Sequence, residues 1–178
     1  FKAKDAIGRE HQVATIQLDF NQPEGFDLTC INEQGENERI VMIHCAVAGS
    51  LERFMSVLIE HTAGKFPVWL APEQIRLITV NQTDELVAFA ENAAAKANEL
   101  GLRVHVDNNN DSVGKKIRES EKAKVPYTLV IGEKEVETGE VTPRIRGDLA
   151  VKEPSSMKLE NFLKTVHNEA KSRTSHTT

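Results

Sequence analysis

Met42–Pro72, MIHCAVAGSLERFMSVLIEHTAGKFPVWLAP, is the stretch on which the reading of this 178-residue chain turns. It places a histidine, a small-residue turn and a Glu-Arg pair at fixed offsets at the mouth of an apolar helix. Gly49-Ser50 lets a backbone approach closely. Glu52-Arg53 opens a helix over Leu51–His61, whose apolar face reads Phe54, Val57 and Leu58, with His61 one turn on. Ala63-Gly64 ends it. An arginine just after a Gly-Ser turn is placed to fork onto a phosphate or to stack on a base. On spacing alone, a helix-start arginine paired with a nearby acid is the blander alternative. Pro67 and Pro72 then bracket Val68-Trp69-Leu70-Ala71, which cannot continue a helix and marks a junction.

Upstream of that stretch, residues 12–20 alternate as a half-buried strand. NQPEGF (21–26) reads as a turn. Leu28–Ile31 and Arg39–His44 read as a hairpin across NEQGENE. Downstream, strands and helices alternate. Strands are expected at Ile75–Val80, Arg103–Val106 and Thr128–Ile131, and helices at Asp84–Leu100 and Ser112–Lys122. Lys134–Val141 runs through a turn into another strand. A last helix spans Ser155–Ser172, capped by Ser155 or Ser156. That alternation implies an α/β layer with a largely parallel sheet.

The net charge of −5, with 28% charged and 39% hydrophobic residues, argues against RNA binding by bulk charge. Any RNA contact needs a local basic face. Lys115, Arg118 and Lys122 supply one at i, i+3 and i+7, with Lys116 and Lys124 beside it and Glu119 and Glu121 to offset it. Cys30 and Cys45 have no CxxC spacing and no secretory context, and read as reduced thiols of a cytoplasmic protein. No apolar run reaches membrane-spanning length. FKAKDAIGRE reads as mid-domain strand and turn, so the natural N-terminus is expected upstream.

The Met42–Pro72 stretch resembles motif 3 of the class II aminoacyl-tRNA synthetases, and within that family the threonyl enzymes. Asp5–Glu10 with Thr15–Phe20 resembles the active-site strand. Val125–Gly132 with Glu133–Val136 resembles the anticodon-binding domain. The resemblance runs in order from about residue 5 to about residue 170. It implies part of an antiparallel-sheet catalytic region over 1–70. An α/β anticodon-binding domain, with a mixed five-stranded sheet and flanking helices, follows over 71–172, and 173–178 form a disordered tail.

The activity implied for the full-length enzyme is ATP-dependent activation of threonine and its transfer to tRNA-Thr by a homodimer, with no role for DNA or membrane. Arg53, Gln17 and Thr15 would be its catalytic residues here. Gln12, Thr15, Gln17, Gly49, Ser50 and Arg53 would hold ATP, with Mg, and the adenylate. His44 would be one ligand of a catalytic zinc, the others lying upstream. A lone histidine at a strand end is otherwise commonly structural. Asn110, Arg118, Lys124, Glu135 and Arg144 would read the anticodon. Motifs 1 and 2 are absent from the chain, so it is expected to be inactive alone.

Four departures stand out from the family pattern. Cys45 stands where arginine is usual, His11 where tryptophan is, Val13-Ala14 where Cys-Gly is, and Lys124 where arginine is. They motivate an alternative, a non-catalytic RNA-binding or regulatory paralogue.

Overall fold

The computed structural model describes residues 1–149 and 155–173. The chain divides into two units, Phe1–Gly64 and Lys65–Thr178.

The first unit is built of two-stranded antiparallel ladders. β1 (Lys2–Lys4) pairs β2 (Glu10–Gln12), and β3 (Thr15–Asp19) follows directly. The single strand expected over 12–20 is thus two. The amides of Val13 and Ala14 both donate to the Phe1 carbonyl, at 3.0 and 3.4 Å, and the chain changes pairing partner there. The turn expected at 21–26 is a one-turn helix, α1 (Asn21–Gly25). Asp19 Oδ1 accepts from the amides of Asn21 and Gln22, at 2.9 and 3.0 Å, and satisfies two donors at its start.

β4 (Thr29–Ile31) pairs β5 (Asn37–Arg39) across a turn in which Asn32 Oδ1 accepts from the amides of Gln34 and Glu36. The expected return strand over 39–44 is therefore displaced. Its later half belongs to β6 (Met42–Ala46), which pairs β3 with Gln17 opposite His44. α2 (Leu51–Thr62) begins at Ser50, whose Oγ accepts from the Arg53 amide at 3.5 Å. It ends where Ala63 and Gly64 turn left-handed, at φ +49° and +72°. Pro23 is the one buried residue of this unit.

The second unit carries the core. β7 (Ile75–Thr79), α3 (Asp84–Glu99), β8 (Val104–Asp107), α4 (Val113–Lys122), β9 (Tyr127–Ile131) and α5 (Glu133–Thr138) alternate as expected of an α/β layer. β10 (Glu140–Val141), β11 (Arg144–Ile145), β12 (Met157–Lys158) and α6 (Leu159–Ser172) complete it. The sheet order is β11-β9-β7-β8, with β7 parallel to β8 and β9, and β11 antiparallel to β9. The mixed sheet thus has four strands among the described residues, not five. β10 pairs β12 in a separate ladder, and Pro143, which has no N–H to donate, separates β10 from β11.

Ile75, Leu77, Leu129 and Ile131 are buried between helices, which is why these strands read as nearly unbroken apolar runs. Ala90, Ala93 and Ala97 of α3 and Phe162, Leu163 and Val166 of α6 pack in the same core. The segment after Gly132 is helical before it is extended. Glu135 accepts from the Gly132 amide at 3.0 Å and nucleates α5. The last helix starts at Leu159, not at Ser155 or Ser156. Residues 157–158 pair with β10 first, and Ser156 Oγ donates to Glu140 at 3.4 Å instead of capping. The expected disordered tail lies outside the described residues, apart from Arg173, which closes α6. Among the described residues no helix is long and apolar enough to cross a membrane.

Candidate functional site

In the first unit, strand alternation sorts the side chains of the β3–β6 ribbon. Thr15, Gln17 and Asp19 share a face with His44, while Ile16, Leu18, Ile43 and Cys45 share the other. His44 and Cys45 therefore point apart. His44 Nε2 lies 2.9 Å from Asp19 Oδ2. The Asp19 carboxyl is held below the usual carboxylate range, first by the Gln22 amide and then by His44. An ionised Asp19 can only accept from His44 Nε2, and in the neutral imidazole that tautomer leaves the Nδ1 lone pair available. Gln17, Asp19, Phe20, Gln22 and His44 line an open depression of about 710 Å³. Asp19 was not among the expected site residues. The signal was its place two residues beyond Gln17 on the same strand face.

Gly49 sits at φ +56°, where a Cβ would meet the carbonyl oxygens of Val13 at 3.2 Å and Gln12 at 3.3 Å. The close approach expected of Gly49-Ser50 thus brings it onto the backbone of Gln12. Ser50 is engaged locally, capping α2 and donating to Glu52 at 2.9 Å. The Arg53 guanidinium is exposed, and no ion pair among the described residues engages it. No group of three or more His, Cys, Asp or Glu among the described residues is placed to hold a metal.

In the second unit, two of the five expected anticodon residues line one cleft. Lys124 and Arg144 border a volume of about 640 Å³ together with Lys65, Ile117, Glu121, Thr128, Arg146 and Asp148. With Arg146 paired to Asp148, the cations Lys65, Lys124 and Arg144 face one further carboxylate, Glu121, which leaves a local positive field in an acidic chain. Lys124 adopts φ +58°, at the turn between α4 and β9. Arg146 braces that turn. It donates to the Lys124 carbonyl at 2.7 Å and the Phe66 carbonyl at 2.8 Å, and forks onto Asp148 at 2.6 and 3.0 Å. Burial pushes the Asp148 carboxyl up, but the Arg146 guanidinium holds it below its usual value.

Asn110 is exposed in the loop that follows β8, and Arg118 is exposed on α4. Glu135 follows β9. One of its carboxylate oxygens accepts from the Gly132 amide, which leaves the other with both lone pairs open. The expected basic face is partly neutralised and partly inside. Lys115 pairs with Asp111 at 2.8 Å, and Lys116 is buried at 1% exposure. Arg146 was missed, and Lys116, read beside the basic face, is buried instead. Lys116 shares a helix face with Val113, Ile117 and Ser120, a spacing that already pointed it at the sheet.

Known proteins resemble this chain along almost its whole length. The family described as "Anticodon binding domain" matches residues 74–169, and "tRNA synthetase class II core domain (G, H, P, S and T)" matches residues 1–62. The threonine–tRNA ligase of Fusobacterium nucleatum is 49% identical over 96% of this chain and 27% of its own length. That of a Geobacter species is 47% identical over 96% of this chain and 26% of its own. The chain therefore spans about a quarter of the curated relatives it matches. Among solved structures, the RNA-binding domain of threonyl-tRNA synthetase from Cryptosporidium parvum superposes with a TM-score of 0.80 at 35% identity. It covers 94% of this chain and 41% of that one.

Proposed function

We infer the function from kinship: this chain belongs to the anticodon-binding domain family, joined to the end of a class II synthetase core, as a C-terminal portion of a threonyl-tRNA synthetase. We propose that it serves the ligation of threonine to tRNA-Thr by reading the anticodon with its second unit. The observation that carries this reading is the cationic cleft of Lys124 and Arg144, braced by Arg146. A base or phosphate of an unstacked loop would find there two cationic side chains beside a braced backbone. Asn110 would pair with a base edge, Arg118 would hold the backbone, and the remaining oxygen of Glu135 would accept from a guanine edge.

The first unit would complete the adenylate site of a cytoplasmic, homodimeric enzyme. Gly49 brings the α2 start onto Gln12, so that Gln12, Thr15, Gln17, Ser50 and the exposed Arg53 can surround ATP, delivered with Mg, and then the adenylate. Arg53 supplies a planar cation that stays charged. His44, oriented by Asp19 through Nε2, would offer Nδ1 to a zinc. Bound zinc would select threonine through its hydroxyl. The rest of the chain's own contribution is positional: β3 and β6 present Thr15, Gln17, Asp19 and His44 on one face.

The test is binding of the chain to the anticodon stem-loop of tRNA-Thr at fixed near-physiological salt, against a loop with its second or third anticodon base changed. Preference for the unaltered loop is the expected result. Equal binding overturns the anticodon reading and favours a paralogue that binds RNA without reading it.

A further inference from the structure

We propose that Lys116, seconded by Gln82, is a positioning residue that fixes the asparagine loop Asp107–Asp111 for base reading. This deepens the anticodon reading and rests on it.

Lys116 is 1% exposed, on the inward turn of α4. Its Nζ donates to the carbonyl of Thr79 at 3.0 Å and of Asp107 at 3.2 Å. Those are the last residues of β7 and β8, adjacent parallel strands in which Ile78 stands opposite Asp107. The ammonium thus ties two strand ends together at the point where the chain leaves the sheet for the loop.

An ammonium is a costly group to bury, and an apolar side chain would seal the helix against the sheet more cheaply. Lysine brings what an apolar residue cannot, a bond to carbonyl oxygens at strand ends. The surroundings are those of a polar knot rather than of plain core. The Thr79 hydroxyl is buried without a partner, and Asp107 is 4% exposed, its carboxylate accepting from the Asn109 amide at 3.3 Å. A second tether comes from the neighbouring loop, where Gln82 Nε2 donates to the Asn108 carbonyl at 2.8 Å. Beyond the loop, Ser112 Oγ accepts from the Lys115 amide at 3.4 Å and anchors α4.

Asn110 lies between these anchors. Asparagine reads a base by a donor and an acceptor on one amide, a geometry lost when the side chain is displaced by a fraction of an ångström. Lys116 touches no RNA in this arrangement and acts only through the position of Asn110. That separates it from the exposed lysines of the same helix.

The experiment uses the full chain and two stem-loops, the tRNA-Thr anticodon loop and one with a changed third base, over a series of salt concentrations. Equal binding by the unaltered chain overturns the anticodon reading and this inference with it. Given a discriminating chain, Lys116→Met is expected to lower the discrimination ratio by about fivefold or more. The salt slope should stay unchanged, because no phosphate contact is lost. An unchanged ratio, with affinity for both loops reduced alike, overturns the inference alone. So does a salt slope smaller by about one, which would make Lys116 a phosphate contact. If Lys116→Met does not fold, Gln82→Ala decides, because Gln82 is exposed and outside the core. A reduced ratio supports the inference, and an unchanged one overturns it.

Discussion

Arg146 Nη1 donates to the Lys124 carbonyl at 2.7 Å, so a residue just past a short edge strand fixes the backbone of a left-handed turn. The same guanidinium forks onto Asp148, with side-chain exposures of 9% and 19%. Truncating it would orphan two carbonyls and a carboxylate at once. Arg146→Ala is expected to lower the unfolding free energy by roughly 2–3 kcal/mol, less than a fully buried pair because Asp148 keeps some water. Arg146→Lys should recover little, since an ammonium cannot fork. Urea unfolding of the three proteins checks both. Asp148 adds a pH signature. Its folded value lies below its unfolded one, so its contribution is present above the usual aspartate value and is lost as pH falls through the folded value. Unfolding of Arg146→Ala should depend less on pH across that acid window.

Tyr127 is the only tyrosine in the chain, so its titration can be watched without interference. Its hydroxyl donates to Glu169 at 2.6 Å, and Phe162 meets its ring edge-on at 5.6 Å. Burial foremost, then the bond to the Glu169 carboxylate, pushes the phenol well above its ordinary value. The folded value is the higher one. The contribution to stability is therefore complete below an ordinary tyrosine value of about 10 and fades only as pH climbs through the folded value. The native chain should show no phenolate absorbance step near pH 10, and the urea-unfolded chain a full one. An ordinary step in the native chain would contradict the buried hydrogen bond.

The signals that survived folding were those carried by the backbone itself. Gly49 was legible because a residue without a Cβ lets a backbone approach closely, and the Gln12 and Val13 carbonyls stand where its Cβ would be. α2, α3 and α4 were legible from caps and period. The hairpin was misplaced because Leu28–Ile31 and Met42–Ala46 are both apolar strands, and pattern alone cannot say which strand each pairs. The five-strand count came with the family resemblance; in this chain Val141 pairs in a separate ladder before Pro143, and the sheet keeps four strands among the described residues. Among the site residues, Lys124 and Arg144 meet in a cleft, while Asn110, Arg118 and Glu135 stand elsewhere on the unit. Arg146 and Lys116 escaped because a charged residue reads as solvated unless its partners, here backbone carbonyls distant in sequence, are known.

The β3–β6 ribbon leaves Ile16, Leu18 and Ile43 at 59%, 61% and 64% exposure on one face. Such a patch favours self-association. Replacing Ile16 and Ile43 by threonine keeps β-branched residues in the strands while removing apolar surface. Light scattering of the variant should show less association at equal concentration. The main unfolding transition should not move, because the core cluster begins at Val68 and lies wholly in the second unit. A fall in that transition would mean that the ribbon contributes to the cooperative core.

Lys124 offers the sharpest change at the cleft. It borders the cavity with Arg144, and its backbone is already fixed in a left-handed turn that arginine would occupy with no added strain. Both side chains carry one positive charge, but arginine presents a planar fork where lysine presents a point. Lys124→Arg should tighten binding of the tRNA-Thr anticodon stem-loop by about three- to tenfold through one further charge-assisted hydrogen bond or a stacked contact. The salt dependence should remain the same, since the number of cations is the same. Lys124→Ala removes the cation, so it should weaken binding and, if the lysine sits on a phosphate, lower the salt slope by about one. An arginine that changed neither affinity nor base preference would place Lys124 outside the RNA contact and leave the cleft to Arg144.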